Sequence, residues 1–304
     1  MAICHADQRY YLGKRNMEVL NKKLPMALIH ECCGEVVCDK SGKFKVGQNV
    51  IMIPNVPGKN KTGIYENYLD DSSFLSSSSD GFMREFVALD HDRLVTFENI
   101  SLQIASICEF ISVGVHAVNR FISCSHDHKN IIGVWGDGSL SYIVCNILRS
   151  KFPNSKIIVI GKNQMKLSHF SFVEKTYLSD SLPENFCVDH AFECAGGEGS
   201  YFAIDDIIKY INPQGTVMLM GVSENKVSIN TRDILEKGLS FIGCSRSGRE
   251  DFEGALELLK DKDIQNRIAP ILYEEEAVYK VQDIHRVFNN DLNTPFKTVF
   301  EWRI

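Results

Sequence analysis

Ile131-Ile132-Gly133-Val134-Trp135-Gly136-Asp137-Gly138-Ser139-Leu140-Ser141-Tyr142-Ile143-Val144-Cys145-Asn146-Ile147-Leu148-Arg149 runs from an apolar strand through a glycine turn into a helical pattern. A strand, turn and helix of this kind hold the pyrophosphate of a dinucleotide. Gly136 permits the tight turn, and Gly138 lets the backbone approach the phosphates. The helix opening at Ser139 and Leu140 offers free N–H groups and a positive dipole end to an anion. Gly136, Asp137, Gly138, Ser139 and Leu140 are therefore the candidate cofactor residues. Ser141 replaces the third glycine of the fingerprint, and it is small enough for close helix–strand packing.

Around this stretch the chain alternates strand and helix. Apolar runs fall at 131–135, 157–160, 188–193, 216–220 and 239–243, with helical stretches near 139–150, 199–211 and 251–260. That rhythm predicts a doubly wound parallel sheet of the Rossmann type, an α/β fold. Before residue 110 or so the pattern is different. Glu35–Cys38, Asn49–Ile53 and Phe82–Leu89 read as short strands between turns such as Ser41-Gly42 and Pro57-Gly58. The polar stretch ending in Ser76-Ser77-Ser78-Ser79-Asp80-Gly81 reads as a mobile surface loop. A helix is expected from Leu102 to about Phe121, and Thr298–Trp302 reads as a closing strand that returns to the first domain.

With 304 residues the chain is long enough for two domains. A net charge of −6 disfavours nucleic acid and anionic membrane as partners. No apolar run reaches the roughly 20 residues that span a bilayer. The first residues, Met1 to Asp7, lack a basic-then-apolar signal, and the ten cysteines read as reduced thiols or metal ligands. A cytoplasmic location fits these features.

The second strand, Lys156–Ile160, leads into Gly161-Lys162. An NAD site places an acid near that point to accept from the ribose 2′-OH. No Asp or Glu lies between Gly138 and Glu174, and Lys162 and Lys166 stand where a 2′-phosphate would sit. The missing acid and the cations together favour NADP; solvated surface lysines are the competing reading.

Leu28-Ile29-His30-Glu31 sets an imidazole beside a carboxylate, with Cys4 upstream and Glu109 far downstream. Thiolate, imidazole and carboxylate are good zinc ligands. By spacing alone a satisfied His–Glu pair competes with a metal site. Cys32, Cys33 and Cys38 compete as ligands or serve as small core residues.

Here the residues carry a resemblance. Cys4-His5-Ala6-Asp7, His30-Glu31, the Glu109–His116 segment Glu-x-x-Ser-Val-Gly-x-His, the glycine turn, Phe192–Gly196 and Gly221-Val222 fall in one order. In that order the chain resembles the medium-chain dehydrogenase/reductase superfamily of zinc alcohol and polyol dehydrogenases. The resemblance implies a GroES-like β-rich catalytic domain over 1–115 with 262–304, N-terminally shortened, and a Rossmann domain over 116–261. It implies catalytic zinc on Cys4 and His30 with Glu31 or Glu109, and cofactor contacts from Gly221 and Val222.

Ala6–Tyr11, Leu24–Glu31, Val134–Gly138, Lys166–Phe172 and Ser245–Gly248 are similar to one branch, the ribulose-5-phosphate reductases of CDP-ribitol synthesis. That branch reduces D-ribulose 5-phosphate to D-ribitol 5-phosphate with NADPH, for wall teichoic acid or capsule. The likeness also implies a homodimer, paired through the edge of the nucleotide-domain sheet, and a complex with the cytidylyltransferase. Three departures stand out. Only three residues precede Cys4, where relatives carry early strands, so a truncated or misassigned start is expected. No cysteine lies between Cys38 and Cys108, so no four-cysteine structural zinc lobe is expected. Ala6 stands where relatives often carry a hydroxyl relay, which leaves water linked to Glu31 or Glu109 as the expected proton source.

A phosphorylated substrate needs cations. Residues 9–23 hold Arg9, Lys14, Arg15, Lys22 and Lys23 against Glu18. Arg9, nearest the metal cysteine and capable of two parallel hydrogen bonds, is the candidate for the substrate phosphate. Arg246, beyond the last strand, is the candidate for the cofactor pyrophosphate, with an exposed arginine as the competing reading. A polyol dehydrogenase acting on an unphosphorylated sugar alcohol is the nearest rival function. A non-catalytic nucleotide-binding protein is the rival from another class.

Overall fold

The computed structural model describes residues 1–59 and 63–304. The chain begins with α1 (His5–Tyr11), α2 (Met17–Lys23), β1 (Cys33–Glu35), β2 (Asn49–Met52), β3 (Asn55–Val56), β4 (Ser73–Phe74) and β5 (Leu94–Thr96). Next come α3 (Leu102–Ser106) and α4 (Cys108–Cys124). The alternating part follows as β6 (Ile131–Trp135), α5 (Ser139–Lys151), β7 (Lys156–Gly161), α6 (Gln164–Leu167), β8 (Lys175–Leu178) and β9 (His190–Glu193). It continues with α7 (Gly199–Tyr210), β10 (Thr216–Leu219), α8 (Thr231–Lys237) and β11 (Ser240–Gly243). The chain closes with α9 (Arg249–Leu258), α10 (Lys262–Ile268), β12 (Leu272–Glu274), α11 (Val281–Asp291) and β13 (Lys297–Val299).

Two compact units result, residues 1–113 with 246–304, and residues 114–245. The stretch 246–261, assigned by likeness to the nucleotide-binding part, goes with the terminal unit. The reason lies in a local knot. The Arg249 amide donates to Glu66 Oε1 at 2.9 Å, its guanidinium donates to the Leu94 carbonyl at 3.0 Å, and Arg93 pairs with Glu66 at 2.9 Å.

In the terminal unit β1, β2 and β5 form an antiparallel sheet, and β12 and β13 pair in parallel. The N-terminal residues lie between distant segments. Ala2 bridges both Glu31 and Val299, and the Ile3 amide donates to the Thr298 carbonyl at 3.0 Å. Gln8 fixes α1 to α11 by donating to the Phe288 carbonyl and to Asp291, both at 2.7 Å. Ile3, Tyr10, Leu28, Ile29, Phe82 and Phe288 are buried together beneath these contacts. The closing strand therefore does return to the first unit.

Four local expectations change. The strand read at Glu35–Cys38 lies at Cys33–Glu35. Phe82–Leu89 makes no strand: Phe82 and Met83 donate to Ile29 and Leu28, and residues 85–89 join no ladder among the described residues. The single helix from Leu102 is two, parted at Ile107, where ψ is 13°. The serine stretch is no free loop. Ser76 is buried, Ser78 Oγ accepts the Phe74 amide at 3.0 Å, and Asp80 accepts the Ala27 amide at 2.8 Å.

The other unit is a six-stranded parallel sheet in the order β11-β10-β9-β6-β7-β8. From β6 the chain moves one way through β7 and β8; from β9 it moves the other way through β10 and β11. The carboxyl ends of β6 and β9 therefore form the switch point where ligands of such sheets bind. Trp135, Ile160, Val188, Ala191, Ile207 and Val217 pack one face of the sheet. β8 escaped the sequence reading because Lys-Thr-Tyr-Leu is short and only half-buried.

At the amino edge of this sheet His190 is fully buried, and its Nδ1 accepts the Thr216 amide at 3.1 Å. Burial, then nearby His126 and Lys129, pull its pKa from 6.5 to about 4, with Asp189 opposing them. A folded-state pKa below the unfolded one means that protons favour unfolding. This contribution is complete above pH 6.5 and is lost as the pH falls toward 4. Urea unfolding of the wild type should lose up to about 3 kcal/mol more across that window than the His190→Asn variant, whose amide oxygen keeps the Thr216 bond. Parallel profiles for the two proteins would refute this.

Candidate active site

Cys4 ends the N-terminal segment and caps α1. His30 and Glu31 leave a segment held by α1, because Asp7 Oδ1 accepts the Ile29 amide at 2.9 Å. Ile29 has a φ of 70°, a left-handed conformation that costs a β-branched residue about 1–3 kcal/mol. The surrounding bonds fix it there and so aim His30. One donor atom each from Cys4, His30 and Glu31 lie within 4.8 Å of one another. Among the described residues these are the only three side chains of metal-ligand type so grouped.

Asp7 organises the cluster. Its carboxylate accepts from the Cys4 amide (3.3 Å), the Ile29 amide (2.9 Å) and Ser76 Oγ (2.6 Å), and it faces His30 Nδ1 at 3.5 Å. Burial alone would raise its pKa; His30 and the hydrogen bonds outweigh that, and the net shift is downward. With Asp7 on Nδ1, Nε2 is the ring nitrogen left for a metal, the carboxylate–imidazole arrangement of metal-binding histidines. The family pattern pointed to Asp7; nothing local pointed to Ser76, which reaches it from 69 positions away.

Lys297 was missed as well. Its buried ammonium donates to Glu31 Oε1 at 2.5 Å and to the Ile3 carbonyl at 2.9 Å. It lies 4.5 Å over the Phe110 ring. The signal was present in Phe296-Lys297-Thr298-Val299-Phe300, where a lysine interrupts an apolar run.

Three observations show that the cluster fits a divalent cation. The donor set is sulfur, nitrogen and oxygen. Glu31 Oε2 is buried with no hydrogen-bond partner. The negative charge is also under-compensated. Burial raises the Glu31 pKa despite Lys297 and His30. Burial also pushes Glu109 up to about 7, against the pull of His30. His30 would be lowered by burial, but Asp7 and Cys4 hold its pKa well above 6.5, so the ring carries a proton that a metal ion would displace. Glu109 is buried and feels these charges but lies outside the three-residue group.

Arg246 belongs to this unit. It takes a φ of 59°, and its guanidinium lies 4.8 Å over Phe74, whose ring stands edge-on to His30 at 5.4 Å. Burial lowers its pKa and Glu109 opposes that. Arg9 sits two residues beyond Asp7 on α1, about 200° round the helix from it. Of the other cations in residues 9–23, Arg15 stacks 4.3 Å over Tyr10 and Lys23 donates to its hydroxyl at 3.2 Å.

In the other unit Gly136 to Leu140 follow β6, Lys162 follows β7 and Gly221 and Val222 follow β10, all beyond the carboxyl ends of their strands. Gly136 takes a φ of 129°, and a Cβ there would lie 2.9 Å from the Cys194 carbonyl oxygen. Gly138 caps α5 with no side-chain bond, which leaves the first-turn amides of Ser139 and Leu140 for an anion. Beside them Glu193, which lies in the Phe192–Gly196 segment of the family pattern but had no role assigned from sequence, is fully buried. Its carboxylate accepts from the amides of Ala195 (3.0 Å), Gly196 (3.1 Å) and Gly221 (2.9 Å) and from Ser200 Oγ (3.2 Å). A Cβ on Gly221 would come within 2.5 Å of that carboxylate. Exposed Val222 follows, its carbonyl accepting the Gly197 amide at 2.8 Å. Lys162 Nζ lies 5.0 Å over Phe202, and Lys166 is in α6. The Asp137 carboxylate turns to the backbone after β7.

The sequence matches the alcohol dehydrogenase GroES-like domain over residues 1–99 and the zinc-binding dehydrogenase family over residues 175–261. A ribulose-5-phosphate reductase of Streptococcus pneumoniae is 54% identical over 305 residues, covering 100% of this chain and 88% of that protein. Ribulose-5-phosphate reductase 1 of Staphylococcus aureus is 48% identical, covering 99% of this chain and 89% of its own. The crystal structure of S. aureus TarJ in complex with NADPH superposes with a TM-score of 0.88 at 44% identity, over 100% of this chain and 89% of that one. The chain belongs to the zinc-type medium-chain dehydrogenase/reductase superfamily.

Proposed function

We propose that the chain reduces D-ribulose 5-phosphate to D-ribitol 5-phosphate with NADPH, using zinc held by Cys4, His30 and Glu31. The observation that carries this reading is the convergence of those three donors in a chain 54% identical to a ribulose-5-phosphate reductase. The 44% identical relative crystallised with NADPH supports the cofactor, as do Gly161 and Lys162 at the end of β7.

Zinc, when bound, polarises the ketose C2 carbonyl and stabilises the charge that develops on its oxygen. Asp7 orients the His30 ring, and Lys297 balances Glu31. Glu109, which burial pushes up to about 7, is shared between its protonated and ionised forms near neutral pH and is suited to pass a proton to the C2 oxygen. The nucleotide-binding unit supplies the hydride donor through its glycine turn and the amides at the start of α5. For the substrate phosphate, Arg246 is the favoured cation because Phe74 links it to His30; Arg9 is the alternative.

A homodimer through the open edge of β11, a cytidylyltransferase partner and a cytoplasmic location complete the proposal. No helix among the described residues is long and apolar enough to cross a membrane.

Steady-state assays pairing NADPH or NADH with ribulose 5-phosphate or ribulose test the reading. NADPH with the phosphorylated ketose should give the highest kcat/KM, by roughly tenfold or more over each alternative. Equal turnover of ribulose would favour the polyol dehydrogenase. Nucleotide binding without turnover or metal would favour the non-catalytic reading.

A further inference from the structure

The acid that contacts an NAD ribose belongs at the carboxyl end of the second strand. In this chain the second strand, β7, ends at Gly161. The backbone there does not demand a glycine, since its φ lies outside the left-handed region. Space does. A Cβ on Gly161 would stand 2.6 Å from Asp137 Cβ, 2.8 Å from Asp137 Oδ2 and 3.0 Å from Asp137 Cγ. The Asp137 carboxylate is held in place, because Oδ2 accepts the amides of Lys162 and Asn163, each at 2.7 Å.

We infer that Asp137 is a specificity-determining residue, which keeps an acidic side chain out of the ribose position by occupying the space beside Gly161 and binding the turn that follows. The inference rests on the NADPH reading above and adds a cause to it. An acid at 161 would meet a second carboxylate and find two of the turn's amides already used. The same bonds set the geometry of the cations. Asn163, anchored through its amide, accepts the Met165 and Lys166 amides at 2.9 and 3.2 Å and so starts α6. Lys162 and Lys166 are thus presented from a turn whose inner side Asp137 fills.

The claim predicts that positions 137 and 161 are coupled. Dissociation constants for NADPH and NADH, read by nucleotide fluorescence, are to be measured for wild type, Gly161→Asp, Asp137→Gly and the double variant, with melting curves on each. Gly161→Asp alone should weaken both nucleotides roughly tenfold or more, within the coupling range of touching residues. Adding Asp137→Gly should restore binding and turn the preference to NADH. Should the acidic variants fail to fold, Gly161→Ala serves as a smaller probe. It should weaken NADPH in the wild type and much less beside Asp137→Gly. The inference is overturned if Gly161→Asp alone binds NADH as tightly as the double variant, or if Gly161→Ala acts equally in both backgrounds. A wild-type preference for NADH would instead overturn the NADPH reading beneath it.

Discussion

Cys4→Ala is expected to strip the purified protein of tightly held zinc and to lower ketose reduction by about 10³-fold or more. At 1.36 kcal/mol per tenfold, that is about 4 kcal/mol of lost barrier lowering, a reasonable share for a Lewis acid acting on a carbonyl. Cys4 supplies the only sulfur of the three grouped donors. Its loss leaves His30 and Glu31 with one neutral and one anionic donor, a set that holds zinc poorly. His30→Ala should act alike. The residues proposed to hold the nucleotide lie in the other compact unit, so NADPH binding should change little in either variant. Elemental analysis and a nucleotide titration on the same sample check this. Retained zinc with retained turnover would remove Cys4 from the site.

Lys297→Met should be the most destabilising single change in the terminal unit. Its ammonium is buried against Glu31 and the Ile3 carbonyl, and its charge lies over Phe110. Removing one partner of a buried ion pair costs about 3–5 kcal/mol, because the other charge is left without compensation. The variant's Ile3 carbonyl also loses its donor. Zinc should narrow the deficit, because a dication at Glu31 supplies part of the missing positive charge. Lys297→Arg, which keeps the charge, should lose far less. Urea unfolding of the three proteins with and without added zinc decides the matter. Identical midpoints for wild type and Lys297→Met would show that the pair contributes nothing.

Both predictions turn on residues of very different legibility. The glycine turn at 136–138 was readable because a pyrophosphate site imposes its demands on consecutive residues. His30 and Glu31 were readable as adjacent candidate ligands, and Cys4 and Asp7 through the family pattern. Ser76 was not. A run of four serines looks like solvated loop, yet Ser76 is buried and donates to Asp7 from 69 positions away. Phe82–Leu89 has the composition of a strand, yet residues 85–89 pair with no neighbour among the described residues, and pairing is a non-local property. Glu193 and Lys297 share one signal, a charge inside an apolar run. Glu193 ties the turns after β9 and β10, and Lys297 ties Glu31 to the Ile3 carbonyl. Arg246 was read by chain position, three residues beyond the end of β11; the bonds of Glu66 to Arg93 and Arg249 group that stretch with the terminal unit.

The most direct test of the central claim is zinc content and NADPH-dependent reduction of ribulose 5-phosphate, measured on one preparation before chelation, after chelation and after zinc is returned. Turnover should fall with the metal and recover with it, while the NADPH dissociation constant stays constant. Full reduction by protein shown by elemental analysis to be free of transition metal would contradict the role assigned to Cys4, His30 and Glu31.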